Sequence, residues 1–355
     1  MPSSSLFLRS SATLVSALSL LSAPALAAPT TQQYSLDTDF FNGDFFSNFN
    51  FYSDADPTHG FVTYVSQSDA ANYGSQNQGT PLIQGGTSGS ARMNVDSTNT
   101  FDSTKAYYNI NGVGRPSVRI ESKSSWTHGL IVADIANMPF SYAAWPAFWT
   151  LGSGTWPGNG ELDIIEGWND QTTNFASAHV NNACKLTQTG QTGTVADTNC
   201  NYNDPFPNYT GCKVVDSRSQ SFGAGFNSNG GGTYATDWTS DYIKIWFWAH
   251  GTEPSDVFGS HPDPSQWGTP FAYIANSNCN IDQNFNDNRI IFDTTFCGKL
   301  NLMLLLSSST NIVQVTLPTP TSAAALRSFP ETQLAVNMSA PRQVLSGTHT
   351  GRLTS

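Results

Sequence analysis

The chain has 355 residues, carries a net charge of -11, and contains 15 Lys plus Arg against 26 Asp plus Glu. So few basic residues cannot form the positive surface that neutralises phosphates, which excludes nucleic acid as an expected partner. Gly, Pro, Asn, Ser, Thr and aromatic residues divide the chain into short segments, and no long stretch shows a 3.6-residue apolar period. We therefore predict an all-β fold.

The first 27 residues have the features of a secretory signal peptide. Arg9 precedes an apolar run that ends at Leu20 and Leu21, and Ala25-Leu26-Ala27 supplies a small-residue cleavage pattern. No later stretch is apolar and long enough to span a bilayer, and the tail after Arg327 lacks the hydrophobic end of a lipid-anchor signal. We expect a secreted, extracellular, monomeric protein that does not associate with a membrane.

The cysteines and the N-glycosylation sequons are typical of a secreted protein. An oxidising compartment would pair most of the five cysteines, which leaves one over and the pairing open: Cys184, Cys200, Cys212, Cys279 and Cys297. Asn208 and Asn337 each begin an N-x-S/T sequon and are candidate glycan sites.

Two segments alternate as strands do. In Ser117–Glu121 (SVRIE) apolar and charged residues fall on opposite faces. In Asp241–Trp248 (DYIKIWFW) one face carries two Ile and a Phe, as in a sandwich core, and the other is too aromatic for ordinary solvated surface. Residues 221–238 (SFGAGFNSNGGGTYATDW) are predicted to be a Gly- and Asn-rich loop. With no internal repeat and no second core, residues 28–298 are expected to form one domain.

The segment Gly160–Gly167 (GELDIIEG) places three carboxylates within six residues. On a helix, Glu161 and Glu166 would lie about 140° apart, too far to act on one bond. On a regular strand Glu161 and Asp163 share a face, and Glu166 points to the other. A β-bulge at Ile164 or Ile165 would return Glu166 to the face of the other two. We predict a bulged strand.

Crowded carboxylates raise at least one pKa, because like charges at close range cannot all ionise cheaply. Retaining glycoside hydrolysis needs this combination, an ionised nucleophile and a protonated acid about 5–5.5 Å apart. A calcium site is the alternative, but calcium loops place their ligands on Gly- and Asn-containing backbone, whereas these acids alternate with Leu and Ile. We favour catalysis and expect neither a metal nor a cofactor.

The E-x-D-x-x-E pattern, with Trp145–Trp149 (WPAFW) upstream, resembles glycoside hydrolase family 16, in particular the fungal endo-1,3(4)-β-glucanases. Further matches occur in the expected order from about residue 36 to residue 298, among them Asp56–Val62 (DPTHGFV), Gly114–Ile120 (GRPSVRI) and Gly129–Asp134 (GLIVAD). The resemblance implies a concanavalin-like β-jelly-roll sandwich with a sugar-binding cleft.

The resemblance also implies roles for individual residues. Glu161 would be the nucleophile, Glu166 the general acid/base and Asp163 an assisting carboxylate. Four residues would contact the β-glucan: Trp145, Trp149, His179 and Arg115. Each has a structural alternative, since a Trp can be core, an isolated His can be a satisfied hydrogen-bonding residue, and Arg115 can anchor a loop.

The resemblance ends after Gly298. Relatives continue with a cysteine-containing segment and a final aromatic-rich strand, whereas here Lys299 begins a tail rich in Ser, Thr, Pro and Ala. We expect residues 299–355 to be disordered or foreign sequence without a strand, which would leave the final strand of the sheet missing.

Three functions remain open from the sequence. The first is a secreted endo-β-glucanase that hydrolyses 1,3- or mixed 1,3;1,4-linkages with retention. The second is a cell-wall glucan transglycosylase that uses the same glutamates. The third is an inactive, lectin-like glucan-binding paralogue, which the intact carboxylates disfavour.

Overall fold

The computed structural model describes residues 34–77, 79–87, 89–99, 114–204 and 211–296 and two later segments, 336–339 and 343–347. All of these belong to one compact unit. The predicted signal peptide, Asn208 and Cys297 lie outside the described residues, so the boundary at residue 27 stays a prediction.

The described residues are mainly β-strands. These are β1 (Tyr34–Asp39), β2 (Phe49–Tyr52), β3 (Val62–Tyr64), β4 (Ile83–Gly85), β5 (Ser90–Met93), β6 (Arg115–Ser117), β7 (Arg119–Ser122), β8 (Gly129–Asn137), β9 (Ala144–Gly152), β10 (Glu161–Glu166), β11 (Phe175–His179), β12 (Thr194–Asp197), β13 (Cys212–Val215), β14 (Gly232–Trp238), β15 (Tyr242–Ala249), β16 (Ala272–Ala275), β17 (Asn288–Phe296), β18 (Val336–Ser339) and β19 (Gln343–Gly347). The short helices are α1 (Gln67–Asn77), α2 (Gly223–Ser228) and α3 (Ile281–Asn284), with 3-10 turns at Phe45–Asn48 and Pro264–Gln266. Among the described residues, no helix is long and apolar enough to cross a bilayer.

Two antiparallel sheets form the sandwich. The front sheet has eight strands in the order β12-β13-β11-β10-β9-β17-β7-β2. The back sheet has nine strands and follows the order β16-β15-β14-β8-β18-β5-β4, while β19 joins β8 to β1. A two-stranded parallel pair, β3 with β6, lies beside them. The all-β prediction is confirmed.

The core lies between the sheets and follows the two-residue alternation of the strands. Front-sheet Phe148 stacks on Phe292 at 4.6 Å between ring centroids. The predicted core face of β15, with Ile243, Ile245 and Phe247, joins the same buried cluster. The other face of β15 forms a second buried cluster, in which Trp246 and Trp267 pack with Leu130, Val132 and Val257. Its tryptophans therefore pack beneath a loop segment.

Two predictions made from composition are wrong. Residues 221–238 are not a loop, since they contain α2 and then β14, whose seven residues are all buried. Because both faces of β14 are covered, its polar residues Thr233, Thr236 and Asp237 do not alternate with apolar ones, so the sequence gave no strand signal.

The tail is also not free of strands. The second strand of the tail, β19, pairs with β8 from Leu130 to Val132, and β18 pairs with the far end of β8 and with β5. Without them one edge of β8 would carry a row of unpaired N–H and C=O groups in the middle of the sheet. The strand that we expected to be missing is thus supplied by β18 and β19. The remaining tail lies outside the described residues.

Candidate active site

The carboxylate strand β10 lies inside the front sheet between β9 and β11. Toward β11 the register runs from Asp163 opposite Ser177 to Glu166 opposite Phe175, so three steps on β10 match two on β11. Toward β9 the register also shifts between Asp163 and Ile165. One extra residue therefore sits in β10, and the predicted bulge is confirmed.

The bulge separates two kinds of side chain. Leu162, Ile164 and Ile165 are buried in the core between the sheets. The three carboxylates project from the opposite face, where all three contact side chains of β11. The predicted common face of Glu161, Asp163 and Glu166 is confirmed by these contacts, described next.

Glu166 accepts two hydrogen bonds from its neighbours. The indole N–H of Trp145 donates to Oε1 at 2.7 Å, and the hydroxyl of Ser177 donates to Oε2 at 3.1 Å. Trp145 is partly exposed and meets Trp168 edge to face at 6.2 Å. An aromatic surface thus borders the carboxyl that was predicted to act as acid and base.

Glu161 has a different set of neighbours. The indole N–H of Trp156 donates to its Oε2 at 2.7 Å, and His179 Nε2 lies 3.7 Å from its Oε1. Trp156 is 42% exposed and meets the ring of Tyr202, 48% exposed, at 5.0 Å. A second exposed aromatic surface therefore borders Glu161.

Asp163 lies between the two glutamates in sequence and is 5% exposed. His179 Nε2 is 3.6 Å from its Oδ2. Burial, helped by the positive charge of Lys213, lowers the pKa of His179 to about 4. The imidazole is therefore neutral at neutral pH, and its contacts with the two acids are not ion pairs.

Burial raises the pKa values of all three acids, and the charges of neighbouring acids add to the rise: Glu166 for Glu161, Glu161 and Glu166 for Asp163, and Asp293 for Glu166. Burial is the largest cause for each; the pKa of Glu161 rises to about 8, and that of Asp163 rises well above its usual range. The pKa of Glu166 is also raised, although the charge of Lys213 and the two donated hydrogen bonds oppose the rise. The cluster therefore retains protons at pH values where exposed carboxyls are ionised.

Lys213 lies on β13 opposite Ser177, in register with the carboxylate strand. Its ammonium lies over the rings of Phe175 and Trp168, at 4.2 and 4.8 Å from the centroids. Burial lowers the pKa of Lys213, and the charges of Glu166 and Asp163 oppose that change. Lys213 therefore supplies positive charge close to Glu166 and Asp163.

A further acid, Asp293 on β17, lies in the same row of the sheet as Glu166, because Ala147 of β9 pairs with both. Trp149 donates its indole N–H to Asp293 Oδ1 at 3.1 Å, and Tyr64 donates to Oδ2 at 2.8 Å. Burial raises the pKa of Asp293 to about 6. The predicted residue Trp149 is thus at the site, held by an acid that the sequence did not identify.

The structure places Arg115 elsewhere. Its side chain is 3% exposed, its guanidinium donates to the backbone carbonyl of Asp96 at 2.6 Å, and it lies over the ring of Phe296. These contacts fit the alternative in which Arg115 anchors a loop. Arg119 is at the site instead, with its guanidinium 5.0 Å from the Trp149 ring centroid.

Glu161, Asp163 and His179 could also hold a metal ion, since they offer ligand atoms within 4.8 Å of one another. A neutral imidazole and two carboxylates suit a divalent cation. Two of these groups are the predicted catalytic acids, so a metal bound here would occupy the position where they act.

Sequence reasoning missed several site residues. Trp156 lies only five residues before Glu161, but the Pro and Gly residues that follow it are typical of a turn and gave no sign that its indole reaches the carboxylate. Ser177 precedes His179 by two residues, so a strand assignment would have put both on one face. Lys213 and Asp293 lie on strands whose register with β10 the sequence does not reveal.

Two disulfides are present among the described residues, Cys184–Cys279 and Cys200–Cys212. Cys212 precedes Lys213, so the second bridge fixes the strand that carries this lysine. Such bridges are typical of proteins that mature in an oxidising compartment.

Comparisons with known proteins give one consistent family. Residues 49–332 match the XgeA-like catalytic GH16 domain. The chain is 42% identical over 282 residues to a probable endo-1,3(4)-beta-glucanase of Aspergillus fumigatus, which covers 79% of this chain and 40% of that protein. It is 40% identical over 283 residues to an endo-1,3(4)-beta-glucanase of Arthroderma benhamiae, with 79% and 58% covered. The chain therefore spans about half the length of these relatives.

Two solved structures share the fold. Laminarinase 16A of Phanerochaete chrysosporium, with β-glucans in its donor and acceptor sites, superposes with a TM-score of 0.74 at 30% identity over 88% of this chain and 100% of that one. An elongating GH family 16 β-1,3-glucosyltransferase gives a TM-score of 0.72 at 35% identity, with 89% and 100% covered. These matches confirm the predicted jelly-roll sandwich, and with the family match they show that the chain belongs to glycoside hydrolase family 16.

Proposed function

We propose that the protein is a secreted endo-β-glucanase that cleaves 1,3- or mixed 1,3;1,4-β-glucans with retention of configuration. The observation that carries this proposal is the placement of Glu161 and Glu166 on one face of a bulged strand, each with its own hydrogen-bond donors. Family membership and the β-glucans bound to the related laminarinase support the substrate class.

In the proposed first step Glu166, protonated because burial raises its pKa, gives its proton to the glycosidic oxygen. Glu161 attacks the anomeric carbon, and the bond to the leaving sugar breaks to give a covalent glycosyl-enzyme. Asp163, the least exposed of the three acids, holds the shared proton and so allows Glu161 to ionise.

In the second step Glu166, now ionised, takes a proton from the incoming hydroxyl group, whose oxygen attacks the anomeric carbon and releases Glu161. Trp156 and Ser177 act throughout, because their donated hydrogen bonds hold the carboxyls of Glu161 and Glu166 in fixed orientations. Both glutamates thus return to their starting protonation states.

The aromatic side chains fit a sugar polymer. The apolar C–H faces of glucose rings stack on indole and phenol rings, and their hydroxyls bond to neighbouring polar groups. Trp156 and Tyr202 border Glu161, and Trp145 and Trp168 border Glu166. We assign these two aromatic surfaces to sugar units on either side of the cleaved bond, as an internal cleavage requires.

Transglycosylation is the second candidate function, because a glucosyltransferase of the same family is 35% identical to this chain. The two functions share the first step and differ in whether water or a sugar hydroxyl attacks the glycosyl-enzyme. Incubating the protein with laminari-oligosaccharides and separating the products distinguishes them, since products longer than the substrate indicate transfer.

Reducing-sugar release from laminarin, lichenan and agarose tests the function. We expect release from the first two, and no release from either glucan would refute the proposal. Glu161→Ala should abolish turnover, and added azide should restore cleavage with inverted stereochemistry because it replaces the nucleophile. Glu166→Ala should act only on substrates with good leaving groups, which need no acid.

Glu253→Ala is a matched control for both variants. Glu253 bonds to Thr233 on the back sheet and to Gly251 in the turn after β15, so its loss should leave turnover unchanged. A Glu161→Ala protein that hydrolyses laminarin at the parent rate would show that the proposed mechanism is wrong. Detecting the protein in the culture medium of an expressing fungal host tests the proposed secretion.

A further inference from the structure

The bulge in β10 leaves backbone groups that the sheet ladder does not pair in the regular way. The side chain of Asn174, which directly precedes β11, bonds to two of them. Its Nδ2 donates to the carbonyl of Ile164 at 2.8 Å, and its Oδ1 accepts from the N–H of Glu166 at 3.0 Å. The side-chain amide of Asn174 therefore bridges the bulge, from the carbonyl of Ile164 to the N–H of Glu166.

Asn174 is itself held firmly. It is fully buried, its backbone N–H donates to Ser221 Oγ at 2.9 Å, and its carbonyl accepts from the N–H of Asp216 at 2.9 Å. Ser221 is fixed in turn, because its hydroxyl donates to the carbonyl of Arg218 and its own carbonyl accepts from the hydroxyl of Tyr234. These contacts connect the bulge to β14 of the back sheet.

The conformation of the bulge decides where Glu166 points. Five residues separate Glu161 from Glu166, so in a regular strand their side chains would lie on opposite faces. The extra residue reverses this, and the Asn174 amide is bonded to the backbone on both sides of it. The contact is specific to Glu166, because Glu161 lies before the bulge and is held by Trp156.

We propose that Asn174 is a positioning residue for acid catalysis, which keeps the bulge closed and so directs Glu166 toward the substrate. The inference rests on the proposed glucanase function. Loss of the amide should impair proton donation by Glu166 more than attack by Glu161. The defect should therefore be large for a glucan, whose leaving group needs a proton, and small for an aryl glycoside with a 2,4-dinitrophenolate leaving group.

Asn227 offers a matched control. It lies in α2, and its side-chain amide makes the same reciprocal pair of bonds, with Nδ2 donating to the carbonyl of Met138 at 2.8 Å and Oδ1 accepting from the N–H of Met138 at 3.0 Å. Asn227→Ala therefore removes the same two kinds of hydrogen bond from a segment that carries no catalytic group.

The experiment compares Asn174→Ala and Asn227→Ala by thermal unfolding and by kcat/KM on laminarin and on the activated aryl glycoside, because kcat/KM reports the first step, in which Glu166 is the acid. We expect Asn174→Ala to lower kcat/KM about 100-fold on laminarin, as a displaced catalytic group does, and only about tenfold on the activated substrate. Asn227→Ala should lower the Tm but leave the ratio of the two rates unchanged. An equal ratio in both variants would overturn the proposal.

Two further measurements cover other outcomes. If Asn174→Ala does not fold, Ser221→Ala keeps the Asn174 amide and removes the acceptor of the Asn174 backbone N–H, together with the bond to the Arg218 carbonyl. It should change the rate ratio in the same direction by a smaller factor. Amide hydrogen exchange needs no activity: the Glu166 N–H should lose protection in the folded Asn174→Ala or Ser221→Ala variant but not in Asn227→Ala. If the Glu166 N–H keeps its protection in the folded Asn174→Ala or Ser221→Ala variant, the inference is refuted. If the parent protein is inactive on laminarin, only the proposed function is refuted.

Discussion

Replacing Glu161 by Gln should stabilise the folded protein, and the gain should increase with pH. Burial, aided by the charge of Glu166 and opposed by the Trp156 hydrogen bond, raises the pKa of Glu161 from 4.5 to about 8. The folded protein thus retains, shared between Glu161 and Asp163, a proton that the unfolded chain releases. The free energy of unfolding therefore falls as the pH rises from 4.5 to about 8.

At about 1.4 kcal/mol per pKa unit, this rise corresponds to an upper limit of about 5 kcal/mol above pH 8. The side chain of Glu161 is 15% exposed, so solvent screens little of this energy, but the three acids share it. We expect Glu161→Gln to gain about 2–4 kcal/mol at about pH 8.5 and almost nothing at about pH 4.5. For a domain of this size that is about 4–8 °C in Tm.

Thermal unfolding followed by near-ultraviolet circular dichroism at both pH values measures the effect. Asp54→Asn, which neutralises an exposed carboxyl in the loop after β2, is the control and should behave as the parent does at both pH values. If the Tm of Glu161→Gln equals that of the parent at about pH 8.5, or rises equally at both pH values, the reasoning is refuted.

Three further predictions concern catalysis. Trp156→Phe keeps a ring beside His179 but removes the donor to Glu161, so kcat on laminarin should fall about 10- to 100-fold, as expected for a hydrogen bond to a charged group; an unchanged kcat would contradict this. The pKa of Glu166, raised by burial, is held down by the charge of Lys213, so Lys213→Met should move the alkaline limb of the kcat/KM profile to higher pH, and a move to lower pH would exclude that role. Zn²⁺ should inhibit in competition with glucan through Glu161 and His179, and inhibition that persists unchanged in His179→Ala would rule out this site.

The sequence was sufficient to predict the bulge. Three like charges alternated with Leu162, Ile164 and Ile165, and a regular strand could not bury these three residues while keeping Glu161 and Glu166 on one face. The alternation of side chains along this short segment was therefore enough to predict its bulge. The partners of the two glutamates did not follow, since Ser177 and Lys213 reach them through pairing between strands that are distant in sequence.

Two neighbouring arginines illustrate the same limit. Arg115 and Arg119 occur in one short stretch, and the sequence pattern does not reveal which of them faces the carboxylates. The pairing of β7 with β17 places Arg119 opposite Asp293, while the pairing of β6 with β3 places Arg115 beside Val62. Strand pairing in the folded protein therefore decides which of the two arginines lies at the site.

Strands without a clear alternation of polar and apolar residues were the hardest to predict. Strand β14 (GTYATDW) is covered on both faces, and its polar residues do not alternate with apolar ones. The tail strands β18 and β19 have four and five residues, and the Ser-, Thr-, Pro- and Ala-rich composition around them indicated disorder instead. Their place in the sheet depends on the open edge of β8 rather than on their own propensity.

The pairing of β1 with β19 has a consequence for how the chain folds. Tyr34 is opposite Gly347 in this pair, and in the described part of the chain β1 has no other strand partner. About 310 residues separate these two positions, a separation typical of slow, topologically complex folding. During synthesis β1 must wait until β19 has left the ribosome, while the front sheet, which ends at β17, can assemble earlier. We expect an intermediate with a formed carboxylate strand and an open back-sheet edge, the stage at which a nascent chain would need protection by chaperones.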